Sequence, residues 1–150
     1  MLVACDSREQ RPLQFEGCET VRVGLPVFDY GILHDSGFAV ERKSMKDFVS
    51  SVALQKNFAR ELRKLKRARA AGFPRLFYVI EANREDIEHF DYSIFTGGRV
   101  GPDFIFHQLS ELEYFHDVHI LFSGDALGAA RDIYRLLKRR AEDLKAQEEA

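Results

Sequence analysis

Val40-Glu41-Arg42-Lys43-Ser44-Met45-Lys46-Asp47 is the stretch on which the organisation of the chain turns. As far as Lys43 it has the two-residue alternation of a strand, so Glu41 and Lys43 share one face and Arg42 points to the other. From Ser44 the pattern becomes helical: Ser44 suits a helix N-cap, and Asp47 stands where a capping-box carboxylate reaches back. A strand carrying a carboxylate and an ammonium side by side thus runs directly into a helix. Upstream, Tyr30 to Leu33 and Phe38 to Lys43 flank His34-Asp35-Ser36-Gly37, residues that favour a tight reversal, and the pair predicts a hairpin.

Working outward, Leu2 to Cys5 is a short apolar run that empties into Asp6-Ser7-Arg8-Glu9, the pattern of a buried strand with polar groups at its carboxyl end. Thr20 to Val23 reads as another strand. Downstream, Phe58, Leu62 and Leu65 recur at helical spacing within Leu54 to Ala71, while Lys56, Arg60, Arg63 and Arg67 follow the opposite face of the same helix. Gly72 and Pro74 end it. Leu76 to Ile80 is apolar throughout, which predicts a central strand covered on both sides. A short acidic helix from Arg84 to Phe90, a glycine-containing loop, a helix from Pro102 to about Phe115, a strand from Val118 to Phe122 and a terminal helix complete the series. Antiparallel strands first, then strands alternating with helices, predict an α/β fold with a central mixed β-sheet flanked by helices.

A length of 150 residues with 45% hydrophobic and 31% charged residues is one globular domain, expected to span residues 1–145 with a frayed tail at 146–150. This composition excludes collagen-like, low-complexity and disordered classes. No apolar run approaches the roughly 18 residues of a membrane span, and Asp6 lies too near the start for a signal peptide, so a cytoplasmic protein, or one of the nucleoid or nucleus, with no membrane partner is expected. Cys5 and Cys18 fit neither a disulfide framework nor a metal site. The net charge of −2 hides a segregation: eight basic residues against Glu61 alone between Lys56 and Arg75, then ten acids against Arg84 and Arg99 from Glu81 to Asp125. A mildly acidic protein can therefore still present a cationic face to a phosphate polymer.

If Asp29 lies at the start of the neighbouring strand and Asp6 at the end of the first, up to three carboxylates converge on the face of Glu41. Such neighbours repel by about 1 kcal/mol per pair at 4 Å in water and about 4 kcal/mol at an intermediate dielectric. Lys43 offsets part of this, and an oxygen-seeking divalent cation such as Mg²⁺ would offset the rest. Gly97-Gly98 and Gly101 lack the ending of a P-loop, and His116 and His119 have no third ligand nearby, so neither is read as a site.

At these positions the sequence resembles the XPF-type nuclease domain of structure-specific endonucleases, within the PD-(D/E)XK superfamily. The signature of that family is Gly-Asp, a variable gap, then Glu-Arg-Lys-x-x-x-Asp, preceded by Asp-x-Arg-Glu on the first strand. Asp6-Ser7-Arg8-Glu9, Glu41-Arg42-Lys43 and Asp47 match every defined position, and Asp29-Tyr30 matches with Phe28 in place of the glycine. Where that glycine serves a backbone angle, the local turn here must differ. The later elements follow the family's order, so the likeness covers roughly residues 1 to 140.

The resemblance implies a restriction-endonuclease-like fold and metal-dependent hydrolysis of DNA at flap, fork or branched structures, in the setting of DNA repair and recombination. It implies Asp29 and Glu41 as the chief metal ligands, assisted by Asp6, with Mg²⁺ as the ion and Mn²⁺ able to substitute. Asp6, Asp29, Glu41 and Lys43 are then the catalytic candidates, with Glu9 and Asp47 behind them. Lys43 is read as orienting water and stabilising the transition state rather than as a general base. Arg8, Lys56, Arg60, Arg63, Lys64 and Arg67 are the expected DNA contacts. Family nuclease domains pair through their later helices, and the aromatic residues crowded between Phe90 and Phe115 suit a homodimer or heterodimer face in the C-terminal half. For Asp47 a purely capping role stands beside the catalytic one, and a solvated helix face stands beside DNA contact for the basic stripe. Two rival functions remain: a catalytically silent domain of the same fold that holds DNA or a partner, and an RNA nuclease.

Overall fold

The structure, a computed structural model, describes residues 1–150. Its strands are β1 (Val3–Asp6), β2 (Thr20–Val23), β3 (Tyr30–Ile32), β4 (Ala39–Ser44), β5 (Leu76–Glu81) and β6 (Val118–Phe122). Its helices are α1 (Met45–Ala53), α2 (Gln55–Ala70), α3 (Arg84–Glu88), α4 (Pro102–His116) and α5 (Ala126–Glu149). The six strands form one sheet in the order β2-β1-β3-β4-β5-β6. β1 to β3 and β3 to β4 are antiparallel, whereas β1 to β2, β4 to β5 and β5 to β6 are parallel.

Helices cover both faces, as the alternation along the strands requires. Ala39, Tyr78 and Ile80 pack against Phe48 and Val49 of α1, Leu65 and Ala68 of α2, and Ile105 and Leu109 of α4. On the other face Val40 and Val79 pack against Ala129, Ile133 and Leu137 of α5. β5 is apolar on both sides because it is covered on both sides. α1 starts as the sequence predicts, with the Ser44 hydroxyl accepting from the Asp47 N–H at 3.2 Å, but the Asp47 carboxylate stays exposed, so only half of the capping box forms. α5 runs to Glu149, through the stretch expected as a tail: Ala146, Gln147, Glu148 and Glu149 are good or fair helix formers, and Gln147 donates to Asp143 at 3.1 Å.

Phe28 occupies the position of the family glycine with φ at 67°. Phe28 thus takes the left-handed backbone that glycine adopts freely, at a cost of about 1–2 kcal/mol for a residue with a Cβ. Burial compensates: the ring is 3% exposed and meets Phe73 and Tyr78 edge-on at centroid separations of 5.9 Å.

Candidate active site

Strand register assembles the site. Tyr30 pairs with both Cys5 and Val40, and one step further along the same ladders Asp29 stands between Asp6 and Glu41. Two backbone bonds hold that step, from Asp6 N–H to the Asp29 carbonyl at 2.8 Å and from Asp29 N–H to the Val40 carbonyl at 3.0 Å. Glu41 in turn pairs with Tyr78 of β5. Asp6, Asp29, Glu41 and Tyr78 thus form a row across four strands, on the face covered by α1 and α2, with Lys43 two residues further along β4.

Within this row the carboxyls of Asp29 and Glu41 are close neighbours, and each acts on the other's protonation. Burial, and the Glu41 carboxylate beside it, push Asp29 up to about 10 from an ordinary 3.8, which favours its neutral form. For Glu41 burial also favours the neutral form, but the neighbouring Asp29 carboxyl and the ammoniums of Lys64 and Lys43 outweigh it and hold the group below its usual range. Asp29 is further fixed by the Arg42 N–H, which donates to Oδ2 at 2.8 Å.

The cation on Glu41 is not the one the sequence singles out. Lys64 of α2 bridges Glu41 Oε2 and, at 2.9 Å, Glu61 Oε2. Lys43 turns to Glu61 Oε1 at 3.1 Å and to the Ser51 hydroxyl at 3.1 Å. Tyr78 completes the cluster by donating its hydroxyl to Glu61 Oε1 at 2.9 Å. Lys64, expected among the DNA contacts, therefore belongs to the carboxylate cluster, and Glu61 is a site residue the motif reading missed. Its signal is legible in retrospect: it is the lone acid of a cationic helix and lies on the inward side with Leu65 and Ala68.

Asp6 joins the row by its backbone but not by its carboxylate. Oδ2 accepts from Arg8 Nε at 2.7 Å and Oδ1 from the Leu25 N–H at 2.9 Å, and these bonds hold Asp6 below its ordinary range against the opposing effect of burial. The expected convergence of three carboxylates is thus a pair plus a neighbour facing elsewhere, and no three metal-binding side chains gather at one point. Glu9 is turned away as well, accepting from the Tyr30 hydroxyl at 2.8 Å and from Arg42 Nη1 at 3.0 Å. Arg42 also pairs with Glu81. Arg8, Arg11 and Lys46 line a cleft of about 810 Å³ with Glu9, Arg42 and Asp47. Lys56, Arg60, Arg63 and Arg67 are all exposed on α2. Arg60 and Arg67 lie one turn to either side of Lys64, so the cationic face runs past the site.

Asp29 and Glu41 offer hard oxygen donors in the number that Mg²⁺ takes from protein, one or two carboxylates with water and phosphate oxygens completing its shell. The donor set therefore fits such an ion.

A mixed six-stranded sheet flanked by helices, with acidic side chains clustered beside a basic helix, defines a restriction-endonuclease-like domain. The ERCC4 domain family matches residues 5–136, and the chain belongs to that family, whose domain is typical of nucleases. No curated protein sequence matches the chain. Among solved structures, XPF from Aeropyrum pernix is similar with a TM-score of 0.68 and 21% identity, covering 93% of this chain and 61% of the other. A second structure, XPF from Aeropyrum pernix in complex with DNA, has a TM-score of 0.69 and 20% identity, covering 95% of this chain and 66% of the other. The chain thus spans less than two thirds of those proteins, and at these identities the likeness is one of fold.

Proposed function

We propose that this domain is a divalent-metal-dependent endonuclease that cuts DNA at flaps, forks or branches. The observation that carries the reading is the Asp29/Glu41 carboxyl pair, set beside two ammonium groups on one face of the sheet and flanked by the exposed cationic side of α2. Asp29 and Glu41 would hold Mg²⁺ or Mn²⁺, which when bound supplies Lewis-acid stabilisation of the phosphate and a water of lowered pKa. Asp6 contributes an oxygen only where Arg8 releases it. The Arg42 N–H holds the Asp29 carboxyl in place, and Lys43, anchored on Glu61 and Ser51, would set a positive charge near a phosphate bound there. Arg8, whose Nε holds Asp6 and whose side chain is 72% exposed, still has Nη1 to offer a neighbouring phosphate. The α2 stripe tracks the DNA backbone.

Dimerisation through the C-terminal half belongs to the same proposal. It is supported by Tyr114 and Phe115 at the end of α4, which are 80% and 65% exposed and pack only edge-on to each other among the aromatic pairs. The test of the whole reading is cleavage of labelled flap, fork, duplex and single-stranded DNA, with RNA alongside, in Mg²⁺ and in chelator. Glu41→Gln and Asp29→Asn are expected to abolish cutting. Nicking that survives both substitutions would assign the chemistry elsewhere.

One observation favours a second reading, a silent domain that holds DNA without cutting it. Lys64 already neutralises Glu41, and Lys43 is engaged by Glu61, so the acidic cluster is balanced from within. Chelator-insensitive binding of branched DNA with no cleavage at any divalent ion would select this reading.

A further inference from the structure

We propose that Lys64 is the resident counter-ion of the Asp29/Glu41 pair and that Glu61 is the acceptor to which its ammonium withdraws when a divalent cation takes those carboxylates. The inference rests on the nuclease reading and deepens it by naming what a metal must displace. Lys64 comes from α2 rather than from the strand bearing the motif, and its Nζ touches Glu41 Oε2 and Glu61 Oε2 at once. Giving up Glu41 therefore leaves Lys64 still paired, on a flexible four-carbon stem that needs only a small rotation. Its side chain is 22% exposed, which leaves it room to move, whereas that of Glu61 is 5% exposed and held on the opposite oxygen by Tyr78 and Lys43. One partner is thus mobile and the other fixed, as an exchange of cations requires.

Stability alone does not explain the cluster. A buried chain of charges is commonly no better for folding than apolar residues of the same volume. Glu61 occupies an inward position of α2 between Phe58 and Leu65, where a leucine would fill the same space. Its carboxylate instead gathers two ammoniums, one of which ends on Glu41. A cation arriving at Glu41 Oε2 competes with Lys64 for the same oxygen, and two positive charges at that separation repel. Cation affinity then depends on how readily Lys64 leaves, and Glu61 sets that ease. Lys64 and Glu61 are accordingly positioning residues that act through Glu41.

The test is calorimetric titration of the full chain with Mn²⁺ in the absence of DNA, for wild type, Lys64→Met, Glu61→Gln and Glu41→Gln, with thermal melts in chelator to establish that each variant is folded. Lys64→Met is expected to bind Mn²⁺ about tenfold more tightly than wild type, since no ammonium then has to be displaced from Glu41. Glu61→Gln is expected to bind severalfold more weakly, because glutamine accepts a hydrogen bond without neutralising Lys64 and leaves it on Glu41. Unchanged or weaker binding by folded Lys64→Met, with Glu41→Gln losing the site, overturns the exchange while leaving the nuclease reading intact. Absence of Mn²⁺ binding by both wild type and Lys64→Met overturns the metal-dependent reading and the exchange with it. Should Glu61→Gln fail to fold, the Lys64→Met comparison decides the matter alone.

Discussion

Burial beside Glu41 pushes Asp29 up to about 10, and this shift ties folding to pH. Its folded value of about 10 lies far above the ordinary 3.8, so between those limits the folded protein binds a proton that the unfolded chain has lost. Stability from this residue is therefore full below about pH 4 and drains away as pH rises towards 10. Asp29→Asn is neutral throughout, and its melting temperature in chelator is expected to gain on wild type steadily from pH 5 to pH 9; parallel curves would show that Asp29 is ionised. Glu41 behaves differently. Repulsion between carboxylates alone would leave metal-free Glu41→Gln at least as heat-stable as wild type, but Lys64 pairs with Glu41 and would lose a charged partner. The substitution is expected to cost roughly 1–3 kcal/mol by urea unfolding in chelator, with Glu61 limiting the loss. At Phe28, replacement by glycine relieves the left-handed strain of about 1–2 kcal/mol but removes a buried ring worth about 3–5 kcal/mol. Net destabilisation is the expected result, readable as a lower urea midpoint.

At the scale of elements α2 has two faces of opposite character. Glu61, Leu65 and Ala68 seat it on the sheet, and Lys56, Arg60, Arg63 and Arg67 stand outward. Their removal should leave the fold intact and change the salt dependence of DNA binding. Each lost phosphate contact lowers the slope of log affinity against log salt by about 0.9, so replacing all four with alanine is expected to flatten it by roughly 3 to 4. An unchanged slope, measured by fluorescence anisotropy on a labelled branched duplex, would mark the stripe as a solvated face only. The helix was legible in the sequence as amphipathic, and so was its cationic side. The role of its inward acid was not, because helical periodicity says which side faces the sheet but not which strand residue each side chain will meet.

The whole molecule is closed by α5, which returns across the sheet to the turn between β3 and β4. There Arg140 makes a two-pronged contact with Asp35, at 2.8 and 3.0 Å, between residues 105 apart in the chain. Burial would raise Asp35, but the Arg140 hydrogen bonds outweigh it and hold the carboxyl below its ordinary 3.8. A depressed carboxyl stabilises the fold above its unfolded value and loses that contribution as pH falls through the folded one. Arg140→Ala is therefore expected to cost about 1.5–3 kcal/mol at pH 7, with the difference from wild type shrinking below pH 3.8 in urea unfolding curves. By itself the sequence determined the order of strands and helices, the shared face of Glu41 and Lys43, and the cationic side of α2, because these follow from periods of two and 3.6 residues within single elements. Tertiary structure alone decided that Glu41 meets Lys64, 23 residues away, that Lys43 meets Glu61, and that Asp6 turns to Arg8 and Leu25. Those choices depend on how far along and how rotated α2 lies on the sheet, and in a water-poor interior a shift of a few ångströms changes which charge is nearest.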